Sequence, residues 1–142
     1  MQQARDYKTL LHKGNLRNTK RRNLILEVVE ENKSPMPVEA IFIKIKERGV
    51  SINISTVYRA LEALAASGLV TKTTLSDNNR ALYEMSSPEH KHHLLCVKCR
   101  KLVVINDCPL EDYQKALEER TGFSVKGHKL EMYGHCLACR DM

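Results

Sequence analysis

Ser55-Thr56-Val57-Tyr58-Arg59-Ala60-Leu61-Glu62-Ala63-Leu64, residues 55–64, is the stretch on which the fold turns. Ser55 makes a good helix N-cap, because its hydroxyl can accept from an otherwise orphaned first-turn amide. Val57, Ala60, Leu61 and Leu64 then recur at helical spacing and define one apolar face, while Thr56, Tyr58, Arg59 and Glu62 lie away from it. Gly68 closes the helix. Leu69–Thr74 and Arg80–Met85 read as two strands around a Ser76-Asp77-Asn78-Asn79 turn. Helices followed by a two-stranded hairpin are the plan of a winged helix-turn-helix domain. The outer face of this helix, with Ser55, Thr56, Tyr58 and Arg59, would then enter the DNA major groove.

Upstream, residues 3–13 carry Tyr7, Leu10 and Leu11 and predict a first helix that ends at Gly14. Thr19–Glu31 predicts a second, with Leu24, Ile25, Val28 and Val29 at helical spacing. A third spans about 37–48, with Pro37 as its first residue and Ile41, Phe42 and Ile45 inward. Ser51–Ser55 is a short extended lead into the fourth. The basic residues Lys13, Arg17, Lys20, Arg21 and Arg22 cluster ahead of the second helix and suit flanking phosphates. A single Arg59 on a helix face is ordinarily just solvated; the cluster is what favours a nucleic-acid partner.

Charge separates the two halves of the 142-residue chain. Residues 1–83 hold 14 Lys and Arg against 8 Asp and Glu, whereas residues 84–142 hold nine of each, so the net +6 lies wholly in the first half. Aromatics are only 5% and Trp is absent, so neither half can build a large core. No 18-residue apolar run exists and the N-terminus lacks a signal-peptide core, which predicts a cytoplasmic protein with no membrane partner. The expected organisation is α+β: a winged-helix domain over 1–85, a hinge over 86–89 and an α/β dimerisation domain over 90–142.

In the second half, His92–Cys96 and Leu102–Asn106 read as strands and Pro109–Arg120 as a helix with Pro109 first. Phe123–Tyr133 reads as a long final strand, and a small sheet with a bare edge is a natural place to dimerise. Cys96-Val97-Lys98-Cys99 and Cys136-Leu137-Ala138-Cys139 are two Cys-x-x-Cys pairs separated by 36 residues. In a reducing compartment such pairs are more often ligands than disulfides, and four thiolates match a tetrahedral structural zinc site. Buried free thiols or a redox dithiol are the competing readings.

His90-Lys91-His92-His93 runs into the first pair. In an extended segment His90 and His92 share a face and can share an ion, with His128 and Glu111 as candidate ligands from elsewhere. A solvated polar hinge would have the same composition, and Glu111 near a helix start is favourable without any metal. Cys108 can cap, pack or react. His12 reads as surface, and His135 as a spare neighbour of Cys136.

These segments closely resemble the ferric uptake regulator (Fur) family over essentially the whole chain. The residues that carry the likeness are Lys13 to Arg22, Ile54-Ser55-Thr56-Val57-Tyr58-Arg59-Ala60-Leu61, His90 to Cys99 and Gly127 to Cys136. The resemblance implies a homodimeric, metal-dependent repressor that binds inverted-repeat operators of metal-uptake genes on double-stranded DNA. It implies structural zinc on Cys96, Cys99, Cys136 and Cys139, a regulatory metal on His90, His92, Glu111 and His128, and DNA contacts from Tyr58, Arg59 and, in the minor groove, Lys13. A second regulatory site would use Glu84 and His93. Lys91 stands there where a histidine is usual, Val104 where an acid is usual, and residues 34–38 hold no histidine, which counts against a peroxide sensor. Asn106-Asp107-Cys108-Pro109-Leu110 and Gly127–Cys136 look most like the zinc-uptake regulator branch, so the second divalent metal is expected to be zinc, with iron or manganese as alternatives. A small zinc hydrolase is a remote rival, since the chain lacks His-Glu-x-x-His and the deaminase signature. A metal-storage or interaction module is a further one, and it would not bind DNA.

Overall fold

The computed structural model describes residues 7–75, 79–87 and 91–141. The first four residues of the expected first helix (3–6), most of the expected hairpin turn, Pro88 and Glu89 of the expected hinge, and His90 lie outside them. Residues up to Ser86 form one compact unit and those from Ser87 another.

The first unit runs α1 (Lys8–Lys13), α2 (Lys20–Glu31), α3 (Val38–Glu47), α4 (Ile54–Ala66), β1 (Val70–Thr74) and β2 (Ala81–Met85). Local chemistry sets the helix ends. Thr19 Oγ1 accepts from the Arg22 amide and starts α2. Pro37 is the N-cap of α3 rather than its first residue, because its extended backbone leaves its carbonyl to accept from Ala40 and Ile41. The expected cap of α4 is also displaced, from Ser55 to Asn53. Asn53 Oδ1 accepts from the Thr56 amide at 2.9 Å, the Thr56 hydroxyl at 2.8 Å and the Ser55 hydroxyl at 2.7 Å. Asn is at least as good a cap as Ser, and here one oxygen satisfies three donors.

The core of this unit is one apolar cluster drawn from every helix and the hairpin. Leu11, Ile25, Leu26, Ile41, Ile45, Val57, Leu61 and Leu64 are fully buried, with Val70 and Tyr83 from the strands. A Cβ at Gly14 would lie 3.1 Å from Ser67 Cβ, tighter than ordinary contact, so the end of α1 packs closely on the end of α4. β1 and β2 pair antiparallel from Val70↔Met85 to Thr74↔Ala81, and Met36 adds a bridge to Tyr83. Glu62 on α4 ties the hairpin to the helix: its Oε1 accepts from Tyr83 Oη at 2.7 Å and Lys72 Nζ at 2.8 Å. The Lys72 ammonium, then the Tyr83 hydroxyl, hold the Glu62 carboxyl below its usual range. The wing is thereby fixed relative to the exposed face of α4.

The second unit contains β3 (His92–Cys96), β4 (Leu102–Ile105), α5 (Glu111–Thr121) and β5 (Glu131–Gly134). Its sheet has the order β4-β3-β5, with β4 antiparallel and β5 parallel to β3. Two expectations shift. Pro109 and Leu110 form a turn ahead of α5, and Leu110 is the N-cap, whose carbonyl accepts from the Gln114 amide at 2.7 Å. The expected strand from Phe123 shrinks to Glu131–Gly134. β3 is five residues long, and the pairing His93↔Glu131 to Cys96↔Gly134 uses the ladder it offers. The preceding stretch ties back to α5 instead: the Val125 amide donates to Glu118 Oε2, and Gly122 (φ +75°) closes the helix as a left-handed C-cap.

This unit has little core of its own. From residue 87 onward the buried apolar residues, among those described, are Leu95, Cys96 and Cys139, and α5 buries none. Val103, Leu94 and Met132 sit side by side across the three strands, and all three are exposed. Tyr113, Phe123, Tyr133 and Leu137 are exposed as well. So much uncovered apolar surface on so small a unit points to burial against something else.

Candidate functional site

The two Cys-x-x-Cys turns come together. The sulfurs of Cys96, Cys99, Cys136 and Cys139 all lie within 4.8 Å of one another, and Cys99 Sγ and Cys136 Sγ are 3.7 Å apart. Tetrahedral zinc with Zn–S bonds of ~2.3 Å needs sulfur–sulfur edges of about 3.8 Å, so the donor set fits that ion. The parallel β3–β5 pair does the positioning, because Cys96 ends β3 beside Gly134, and Cys136 follows two residues later. Backbone amides point at the sulfur of Cys96, from Cys99 at 3.5 Å and Cys136 at 3.4 Å. These amides, Cys99 first, pull the Cys96 thiol down to about 5. Cys139 goes the other way, to about 12, first because it shares a hydrogen bond with Cys136 and then through burial. Its proton must leave before it can ligate, so metal loading of the set releases protons. Arg100 takes the left-handed region (φ +69°) directly after the first pair. His135 is exposed and is not part of the four-sulfur group.

A second convergence lies in the same unit. His92 at the start of β3, Cys108 before α5 and His128 before β5 bring their donor atoms together. His92 Nε2 and His128 Nε2 are 3.1 Å apart, and Cys108 Sγ is 3.3 Å from each. The two rings stack at 4.8 Å between centroids, and His92 is 3% exposed. Gln114 Oε1 is hydrogen-bonded to His128 Nδ1. With the ring proton on Nδ1, the Nε2 lone pair is presented to the cluster.

Of the four residues expected at this centre, the structure brings His92 and His128 together. His90 lies outside the described residues. Glu111 is exposed at the first position of α5, and it is Cys108, not Glu111, that groups with the imidazoles. Nothing local in Asn106–Gln114 marks Cys108 or Gln114 as part of a site; separate segments have to converge before either is visible. Of the other expected pair, Glu84 on β2 belongs to the first unit and His93 on β3 to the second, and both are buried.

On the first unit, Ser55, Tyr58 and Arg59 are exposed along α4 and Thr56 is half-buried. The Ser55 and Thr56 hydroxyls are engaged with the Asn53 cap, and Arg59 Nε donates to the Ser55 carbonyl at 3.4 Å. Arg21, Ser51, Ile52, Asn53 and Thr56 line an open recess of about 340 Å³ where the start of α4 faces α2. Lys20, Arg21 and Arg22 open α2, whose first turn holds no acid. Cations there oppose the helix dipole at about 0.3–1 kcal/mol each. Such an arrangement suits an anion bound from outside, where the helix amides and the side chains act in the same direction. Lys13 and Arg17 are exposed nearby in sequence, and the Arg17 carbonyl accepts from Arg22 Nη1.

No helix among the described residues is long and apolar enough to cross a membrane. A model of the ferric uptake regulator family matches residues 13–133. The ferric uptake regulation protein of Legionella pneumophila is 33% identical over 131 residues, spanning 92% of this chain and 96% of that protein. Among solved structures, the ferric uptake regulator of Vibrio cholerae superposes with a TM-score of 0.82 at 28% identity, over 92% of this chain and all of that one. The ferric uptake regulator of Francisella tularensis, solved with iron, gives 0.80 at 32% identity, over 88% of this chain and 95% of that one. Members of the family are metal-dependent transcription regulators that bind DNA as dimers, which removes the hydrolase and storage readings. A winged-helix unit with a basic cluster at the start of α2, joined to an α/β unit with two convergent sets of metal-ligand side chains, is therefore not an isolated likeness: the chain belongs to the ferric uptake regulator family.

Proposed function

We propose that this protein is a zinc-responsive repressor that binds inverted-repeat operators of metal-uptake genes as a homodimer. The observation that carries the reading is the His92–His128 pair, two imidazoles 3.1 Å apart beside a separate four-cysteine cluster. The division of labour follows from their surroundings. Cys96, Cys99, Cys136 and Cys139 hold a structural zinc that staples a unit with almost no core. His92 and His128 form the regulatory site, with His90 and Glu111 as further candidate ligands. Sulfur and imidazole donors favour zinc over manganese, which prefers oxygen. Iron is the second reading, supported by the iron in the Francisella regulator.

His92 lies three residues past the end of the 86–89 hinge, and His128 lies in the stretch before β5. A bound divalent ion supplies a cross-link between these two segments. Holding them together would restrict the hinge and raise the population of dimers whose two recognition helices suit one operator. Where that arrangement is only fractionally populated, apparent affinity falls by the same fraction. The exposed row of Val103, Leu94 and Met132, with Tyr113 and Phe123, supports the partner chain as the cover for the second unit. Glu84 and His93 remain candidates for a second regulatory site.

The test is binding to the DNA upstream of this protein's own gene during separate titrations with buffered zinc, ferrous iron, manganese and nickel. Zinc is expected to activate binding at far lower free concentration than iron; the reverse order would replace the zinc reading with the iron one. Arg59→Ala is expected to lose about 1–3 kcal/mol of specific binding. Equal operator affinity for the variant in fluorescence anisotropy would mean that α4 does not dock by this face.

A further inference from the structure

We propose that Cys108 is a ligand of the regulatory metal, which makes that site a thiolate–bis-imidazole centre whose single sulfur selects zinc. This rests on the reading that His92 and His128 form the regulatory site. Three donor atoms from three separate places in the chain form a triangle with edges of 3.1, 3.3 and 3.3 Å. Bonds of ~2.0–2.1 Å to nitrogen and ~2.3 Å to sulfur at tetrahedral angles require edges of about 3.3 Å between nitrogens and about 3.6 Å from nitrogen to sulfur. Outward movements of a few tenths of an ångström convert the observed triangle into three corners of such a site.

The supporting groups are arranged for that use. His128 gives its Nδ1 proton to Gln114 Oε1, so Nε2 faces the cluster as a lone pair. Pro109 restricts Cys108 to extended backbone and fixes the turn into α5, so the thiol is delivered from a stiff segment. His92 is buried on β3, and its neighbours in the ladder, Ile105 on β4 and His93 along the strand, hold it in place. An acid in place of Cys108 would suit manganese or ferrous iron. A thiolate shifts preference toward zinc, because soft sulfur bonds more strongly to it than to the harder ions.

The experiment uses the full-length dimer with zinc retained in the four-cysteine site, checked by elemental analysis, and cobalt(II) as the spectroscopic probe for the second site. The wild type is expected to develop a sulfur-to-cobalt charge-transfer band as this site fills. Cys108→Ser and Cys108→Ala should lack the band and bind zinc at the site at least tenfold more weakly in chelator competition. A band of unchanged intensity together with unchanged zinc affinity in both variants would overturn the assignment. His128→Ala separates this from the sensor reading. If His128→Ala loses metal-dependent DNA binding while the Cys108 variants match wild type, the sensor reading stands and the cysteine ligand falls. If the Cys108 variants lose the band while His128→Ala still responds to metal, the thiolate is a ligand of a site that is not the sensor, and the proposal as stated is overturned.

Discussion

Cys136→Ser is expected to unfold the second unit while leaving the first folded. The reasoning begins with what else could hold residues 87–141 together. Among the described residues there, Leu95 is the one fully apolar side chain, cysteines aside, that is buried, and α5 contributes none. Burial of a single leucine is worth about 1.5–3 kcal/mol, far below the conformational entropy of ordering a unit this size. The four sulfurs join the β3–β4 turn to the chain after β5, across 36 intervening residues. Apparent binding energies of structural zinc in small domains are about 10–16 kcal/mol at neutral pH, as large as the whole stability of an ordinary domain. Removing one sulfur takes away much of that, and the exposed apolar row that suits a partner chain loses its scaffold. The first unit has its own cluster from Leu11 to Tyr83 and does not depend on the metal. Hydrogen exchange resolved by segment is the measurement. Protection should vanish over β3, β4, α5 and β5 and persist over α2 and α4, and a strong chelator should reproduce the pattern in the wild type. Retained protection in the second unit would show that its fold does not need the ion.

The winged-helix half was legible because its signals are local. Helical periodicity and the glycines at helix ends each act within a few residues, and Ile25, Val28, Val29, Ile41, Ile45, Val57, Leu61 and Leu64 are buried as the spacing implies, whereas α2 buries Leu26 in place of Leu24 and α3 leaves Phe42 half-buried. Ser55 misled because Asn53, two residues earlier, offers an equally good cap, and the periodic face begins only at Val57, so local sequence fits either. The second half was legible where chemistry is repetitive, in the Cys-x-x-Cys pairs, and illegible where it depends on pairing. Phe123–Lys129 has strand-like composition, yet the parallel register that starts at His93↔Glu131 leaves only His92 of β3 ahead of it, a limit set by another part of the chain. The cluster of His92, Cys108 and His128 shows the same division. His92 and His128 stood out as residue types, whereas Cys108 and Gln114 acquire a role only when α5 and β5 fold beside β3.

His128→Ala should give the opposite phenotype to Cys136→Ser: a folded dimer whose DNA binding no longer follows metal. His128 lies outside regular structure, in the stretch between α5 and β5, and is only half-buried. Its loss removes ring stacking on His92 and the hydrogen bond to Gln114, at a cost of about 1–3 kcal/mol, which a zinc-stapled dimer can absorb. It also removes one of the two imidazoles, and with it the tie between the start of β3 and the chain before β5. Coupling between effector and ligand sites is typically about 1–3 kcal/mol, or about 5–150-fold in affinity. The variant should lose that whole factor, so its operator affinity at saturating zinc should equal that of wild type with the regulatory site stripped. Circular dichroism and the segment-resolved exchange pattern should match wild type, which separates a deaf switch from a broken scaffold. Anisotropy titrations at buffered free zinc give the binding curves. A variant that still tightens on the operator as zinc rises would move the switch away from His92 and His128, and Glu84 with His93 would be the next pair to replace.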